Sequence, residues 1–299
     1  MMLPKPGRVL KVAICLAITM VALVYLLAGC GGKGGSTGEG LPKRELPENA
    51  TPEKILLEGT KATSDVQSFD FISEIKFIVP PVGSEVSASS MTMQTDGIWD
   101  YKSGNMKATL TIPELNNYSA DYIVCDGRYY INVNDSWREM SSESTQSLGV
   151  ADITRQTSEY LKNYQTISRL DDEVINGRDC YHVSMVPNLE DILKQPEMTE
   201  MLRQIATQQA GHELTDEEFA AKLAEEEATL KTTGAVMEYW VDKETLVLRR
   251  TVTNMESKIQ IDKSSAPITT KRITEIDFTK YNVATDISPP EVSLEWKGN

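Results

Sequence analysis

A run of period two sets the first limit on what this chain can fold into. Phe69, Phe71, Ile75, Phe77 and Val79 share one parity, and Pro80-Pro81 with Gly83 end the run. Such alternation makes a strand with one apolar face, and a sheet of such strands needs something to cover that face. The pattern recurs. Met91, Met93 and Trp99 share a parity, and residues 106–112 alternate again. Two short turns fix registers. Asp126-Gly127 places Tyr122, Val124, Tyr129, Ile131 and Val133 on one face, and Asn176-Gly177 does the same for Val174, Tyr181, Val183 and Met185. Further strands are expected at 235–241, 246–255, 258–262 and 269–278.

Helices punctuate this pattern. Thr51-Pro52-Glu53 combines a capping threonine, a first-turn proline and an acid, so a helix carrying Ile55, Leu56 and Ala62 begins there and ends near Val66. A short helical stretch is expected around 158–164. Residues 188–231 break the alternation. Leu189, Ile192, Leu193, Met201, Leu202 and Ile205 recur three and four apart, Gly211 interrupts, and Thr215 with Glu218 opens a second helix bearing Phe219, Leu223 and Leu230. The expected class is α+β: one large, curved antiparallel sheet in the manner of a half-open barrel, covered by helices, with a helical pair inserted at 188–231.

The start of the chain addresses location. Lys5, Arg8 and Lys11 precede an uncharged run from Val12 to Ala28, which ends in Leu27-Ala28-Gly29-Cys30. A basic start, an apolar core and small residues before a cut site read as an export signal. The last four residues resemble the bacterial lipobox. That resemblance implies cleavage before Cys30 and a diacylglycerol on its sulfur. An uncleaved spanning helix is the competing reading, and 12–28 lies near the lower length limit for one. Expected units are a signal at 1–29, the lipidated Cys30 with a Gly- and Pro-rich linker to residue 50, and one domain over 51–299.

Charge excludes some partners. The net charge is −14 and falls to about −17 once Lys5, Arg8 and Lys11 leave. Nucleic acid and a broad contact with anionic headgroups both oppose that sign. Cys15 leaves with the signal and Cys30 takes the lipid, so Cys125 and Cys180 remain, in a compartment that permits a disulfide. A simple meander would set them three strands apart, about 14 Å, beyond the ~7 Å a bridge tolerates. Two free thiols are favoured, and another strand order would allow the bridge.

Several stretches together resemble the LolA-like fold, and in particular LppX-type lipoproteins: 54–79, 122–133, the Glu238-Tyr239-Trp240-Val241-Asp242-Lys243-Glu244-Thr245 hairpin, and 276–290 ending in Asp286-Ile287-Ser288-Pro289-Pro290. The resemblance implies an apolar cavity under helices and a lipid or lipid-modified protein as cargo.

Chemistry is sparse. His-Glu-x-x-His is missing from the sequence, and no stretch reads as a nucleophile elbow or a phosphate-binding Gly loop. His182 shares a parity with polar residues and reads as a surface side chain; His212 follows Gly211 in a break. Glu225-Glu226-Glu227 reads as a solvated helix face, and Asp171-Asp172-Glu173 lacks the ligand spacing of a calcium loop. No metal or cofactor is expected, and no enzyme.

Phe71, Ile75, Phe77, Met91, Met93 and Met201 are the candidate cavity lining. Plain core is the bland alternative. The recurrence of methionine, which suits adaptable apolar sites, and two amphipathic helices in need of a surface favour the cavity. The leading reading is a membrane-anchored lipoprotein that binds or carries a lipid or other hydrophobic ligand. The alternative is a sensor or interaction lipoprotein with an envelope protein as partner.

Overall fold

The structure, a computed structural model, describes residues 40–81, 89–133, 135–140, 153–195, 199, 202–203, 206–207, 210, 212–230, 233–259 and 268–292. Helix α1 (Pro52–Ser64) begins as its sequence demands: the Thr51 side chain accepts from the Lys54 N–H, with proline in the first turn. It leads into β1 (Ser68–Val79), β2 (Ser89–Asp100), β3 (Asn105–Ile112), β4 (Tyr118–Cys125), β5 (Arg128–Val133) and β6 (Ser136–Met140). Then come α2 (Ile153–Lys162), β7 (Tyr164–Arg169), β8 (Glu173–Ile175), β9 (Arg178–Pro187), α3 (Leu189–Leu193) and α4 (Asp216–Leu230). Strands β10 (Gly234–Asp242), β11 (Leu248–Ile259) and β12 (Ile268–Tyr281) complete the fold.

All described strands join one open antiparallel sheet in the order β6-β5-β4-β3-β2-β1-β12-β11-β10-β9-β7, with β8 also paired to β9. Two meanders, one from each half of the chain, meet where β12 pairs with β1. The expected class is therefore observed. Both Asx-Gly turns form where expected. Asp126 and Gly127 have φ of 50° and 72°, and Asn176 and Gly177 have 51° and 77°. Positive φ at both central residues matches the twist of a tight hairpin.

Several local expectations are corrected. β6 and β7 are strands the sequence pattern did not announce, and Tyr164 opens β7 instead of closing a helix. Of the strand expected at 258–262, residues 258 and 259 are the end of β11, and 260–262 lie outside the described residues. Val174 does not join the core; it is 64% exposed, and Ile175 is buried in its place, because the short β8 pairs only with the turn end of β9. Residues 40–50 were expected as linker, yet they lie on the domain. The Arg44 N–H donates to the Glu244 carbonyl, Arg44 pairs with Asp65, and Leu41, Leu46 and Ala50 pack on the core.

The main core sits between the sheet and α1. Gly59 lets the helix settle: a Cβ there would stand 3.0 Å from both Val241 methyls. Thr63 ties helix to sheet, its Oγ1 donating to the Gly59 carbonyl and accepting from the Leu248 N–H, both at 2.9 Å. On the outer face of β4–β6, Ile287 and Val292 of the C-terminal segment cover Ile123, Cys125, Tyr130 and Trp137.

Candidate functional site

Register sorts the helix-bearing inner face into rows that cross the strands. One row runs Val124–Met106–Trp99–Phe69–Tyr281. The next runs Tyr122–Ala108–Gly97–Phe71–Phe278. These rows lie toward the end where the tight turns cluster, and they are dry. Phe69 is 1% exposed and meets Phe71, Trp99, Tyr101, Phe278 and Tyr281 ring to ring. Gly97 permits the packing, since a Cβ there would lie 2.5 Å from the Ala108 Cβ. Burial also pushes the Tyr122 and Tyr239 hydroxyls well above the usual phenol range.

Toward the other end the same face changes. A middle row, Leu110–Thr95–Ser73–Ile276–Thr251–Tyr239, mixes hydroxyls with apolar groups. Beyond it come Met93–Ile75–Thr274–Thr253–Met237 and Met91–Phe77–Arg272–Met255–Ala235. Here Ile75, Phe77, Met91, Met93 and Met255 are only half-buried. On the same rows Ala235, Met237 and Arg272 are buried. Of the inserted helices, α4 packs against α3 and against β11. They also keep a small apolar cluster of their own, Leu202 and Phe219 with Leu189, Leu214 and Leu223. Arg203 caps it, 4.2 Å above the Phe219 ring and 3.0 Å from Asp216. The expected capping box closes α4, with Glu218 accepting from the Thr215 N–H and the Thr215 hydroxyl facing the Glu218 N–H.

Of the candidate lining residues, Ile75, Phe77, Met91 and Met93 come together on this open half. Phe71 does not; it belongs to the dry rows, where Phe278 and Gly97 flank it. Met201 lies outside the described residues, as do Cys30 and the Leu27, Ala28 and Gly29 before it. Sequence reading missed Met255, Ile276 and Arg272. Parity alone marked them, but only the β1–β12 pairing brings them beside Phe77 and Ile75.

The outer face holds the polar chemistry. His182 is 6% exposed, contrary to the surface reading, because its ring stacks on Trp240 at 4.2 Å. Glu173 and Glu238 flank it at 3.5 and 3.3 Å, and Glu173 also accepts from the Trp240 indole. Asp172 is engaged by Arg169 and Lys243, and those cations hold its carboxyl low against the opposing effect of burial. His212 faces solvent beside Glu218. Glu225–Glu227 fall within α4. Cys125 and Cys180 are buried free thiols with six strands between them, more than the three-strand spacing expected of a meander. Burial, aided by the Asp242 carboxylate, pushes Cys180 up to about 12. Among the described residues no acid, base and nucleophile converge, no group of His, Cys, Asp and Glu is placed to hold a metal, and no helix is long and apolar enough to cross a membrane.

A family model described as a family of unknown function (DUF6612) matches residues 51–296. The chain is similar in structure to lipoprotein LppX of Mycobacterium tuberculosis, at 12% identity and a TM-score of 0.41, over 78% of this chain and 98% of that one. It is similar to LprF of Mycobacterium bovis at 11% and 0.43, over 81% and 99%. A LolA superfamily protein of Nitrosomonas europaea follows at 11% and 0.26, over 79% and 94%. No curated protein matches.

Proposed function

The chain belongs to the DUF6612 family, and we propose that it is an extracytoplasmic lipoprotein, held at a membrane through Cys30, that binds or carries a lipid or other hydrophobic ligand on the open half of its inner face. One observation carries this reading. Along β1 the same face is dry at Phe69 and Phe71 and half-exposed but still apolar at Ile75 and Phe77, with Met91 and Met93 half-buried beside them. Apolar area left in water forgoes about 25 cal/mol per Å², and an apolar guest would recover it. Methionines at 91, 93 and 255 give that wall an adaptable surface. Helices α3 and α4, with their own apolar cluster and the contact of α4 on β11, would cover such a guest. Two acyl chains on Cys30 would suffice as an anchor once the signal is cut. The role is carriage or binding, without catalysis.

Native mass spectrometry of the full-length chain, with lipid analysis of an organic extract, tests the ligand. Bound lipid, reduced by Phe77→Asp, is the expected outcome. A wild-type chain that stays empty when offered fatty acids and phospholipids would sink the reading. For the anchor, Cys30→Ala should move the protein out of the membrane fraction. The self-contained helical cluster also favours a second reading, a sensor whose helices meet an envelope protein. In that case deleting 188–231 abolishes cross-linking to the partner while lipid binding was never present.

A further inference from the structure

The order of side chains along the open half suggests which kind of ligand it takes. From the turn end outward, the inner face runs through dry aromatic rows, then half-buried apolar rows, and then a polar group at the strand ends. That group is built around Arg272. Its Cα neighbours in register are Phe77 on β1 and Met255 on β11. One row further out, Ser257 and Thr270 pair. The Thr270 hydroxyl donates to the Ser257 carbonyl at 3.3 Å, and the Thr233 and Ser257 hydroxyls lie 3.1 Å apart. Arg272 and Ser257 are 5% and 4% exposed. Phe77 and Met91 stand in the same row as Arg272, and Ile75 and Met93 one row inward.

We propose that the ligand is an amphiphile with an anionic headgroup, held at the strand ends by Arg272 with Ser257 and Thr270, while its hydrocarbon lies along Phe77, Met91, Ile75 and Met93. The proposal deepens the ligand-binding reading above and rests on it. Two observations support it. Along β12 the inner face runs Tyr281, Phe278, Ile276, Thr274, Arg272 and Thr270, apolar within and cationic toward the end, which is the polarity order of a fatty acid or a phospholipid. A guanidinium with hydroxyl neighbours offers the planar, multi-donor set that carboxylate and phosphate oxygens accept best. The acidic surface does not conflict with this. Net charge governs contact with a whole charged bilayer, whereas one headgroup answers to the field of the side chain beside it.

The test compares matched heads on one chain. Native mass spectrometry of the full-length chain, released from nonionic detergent, is run with oleate, with oleyl alcohol, and with inorganic phosphate alone. Wild type should bind oleate about tenfold or more tightly than oleyl alcohol, the scale of one charge-assisted pair. Arg272→Gln should erase that preference and leave the alcohol unchanged, with Arg272→Lys in between. Equal binding of both lipids by wild type overturns the headgroup assignment but spares the apolar site. Binding of neither overturns the ligand-binding reading itself. Phosphate binding as tight as oleate marks a free-anion site and overturns the amphiphile. Should Arg272→Gln fail to fold, the wild-type preference still decides.

Discussion

The two halves of the inner face share strands, parity and residue types, yet they differ in what covers them. Near the turns, α1 lies on the sheet with α2 packed against it, and Phe69, Phe71, Phe278 and Tyr281 are sealed. Toward the opposite strand ends, Phe77, Ile75, Met91 and Met93 present the same kind of surface half-open. Apolar alternation therefore marks a face and does not say whether that face becomes core or site. The covering elements decide.

If the turn end is the structural half, damage there should be large. Phe69→Ala removes a ring with five aromatic neighbours and should cost about 3–5 kcal/mol of stability, measured by urea denaturation. A cost below ~1 kcal/mol would mean the two halves are alike. Thr63→Val keeps the shape of the side chain but leaves the buried Leu248 N–H without its acceptor. The expected loss is about 1–3 kcal/mol, again by denaturation.

An acid-sensitive latch sharpens the contrast at the same end. Asp242 is buried; burial opposes its charge, but the Thr245 N–H, the Arg249 guanidinium and the Glu244 N–H outweigh that and hold its carboxyl below the usual range. A folded value below the unfolded one means that its stabilisation is present above the unfolded carboxylate value of about 3.9. It is lost as pH falls through the lower folded value. Stability should thus drop as pH falls from about 5 through that lower folded value, and Asp242→Asn should shrink that drop. An unchanged pH profile in the variant would remove Asp242 from the account.

Phe77→Ala should have the smallest effect on stability, about 1 kcal/mol or less for a half-exposed ring, while ligand retention falls several-fold. A loss as large as that of Phe69→Ala would make the open half ordinary core.

Local signals in the sequence were reliable because they depend on near neighbours. The Thr51 cap, the Thr215–Glu218 box, both Asx-Gly turns and the parity of Phe69 to Val79 are each settled within a few residues. What the sequence hid was long-range. The pairing of Phe77 with Arg272 joins residues nearly two hundred positions apart, and nothing in either segment announces it. Without that pairing, Phe71 and Phe77 are indistinguishable, and Arg272 is one more strand cation. His182 shows the same limit: its polar parity was correct, but the Trp240 stack and the Glu173 flap that bury it come from other strands.

The docked segment 40–50 fixes the length of the leash. Arg44 meets Glu244 in the β10–β11 turn, at the sealed end of the sheet. Ten residue steps separate Cys30 from Gly40, a span of at most ~36 Å. The twelve residues of β1 rise by roughly 40 Å from the turns to the opposite strand ends. If Cys30 carries the anchor proposed above, the domain would stand turn-end down, with its apolar half directed outward. To touch the bilayer that holds it, it must lie on its side or peel residues 40–50 away. A spin label at Leu115, beyond the far end of β3, reads that height directly. A carrier built this way would face outward, toward whatever lies opposite its own membrane.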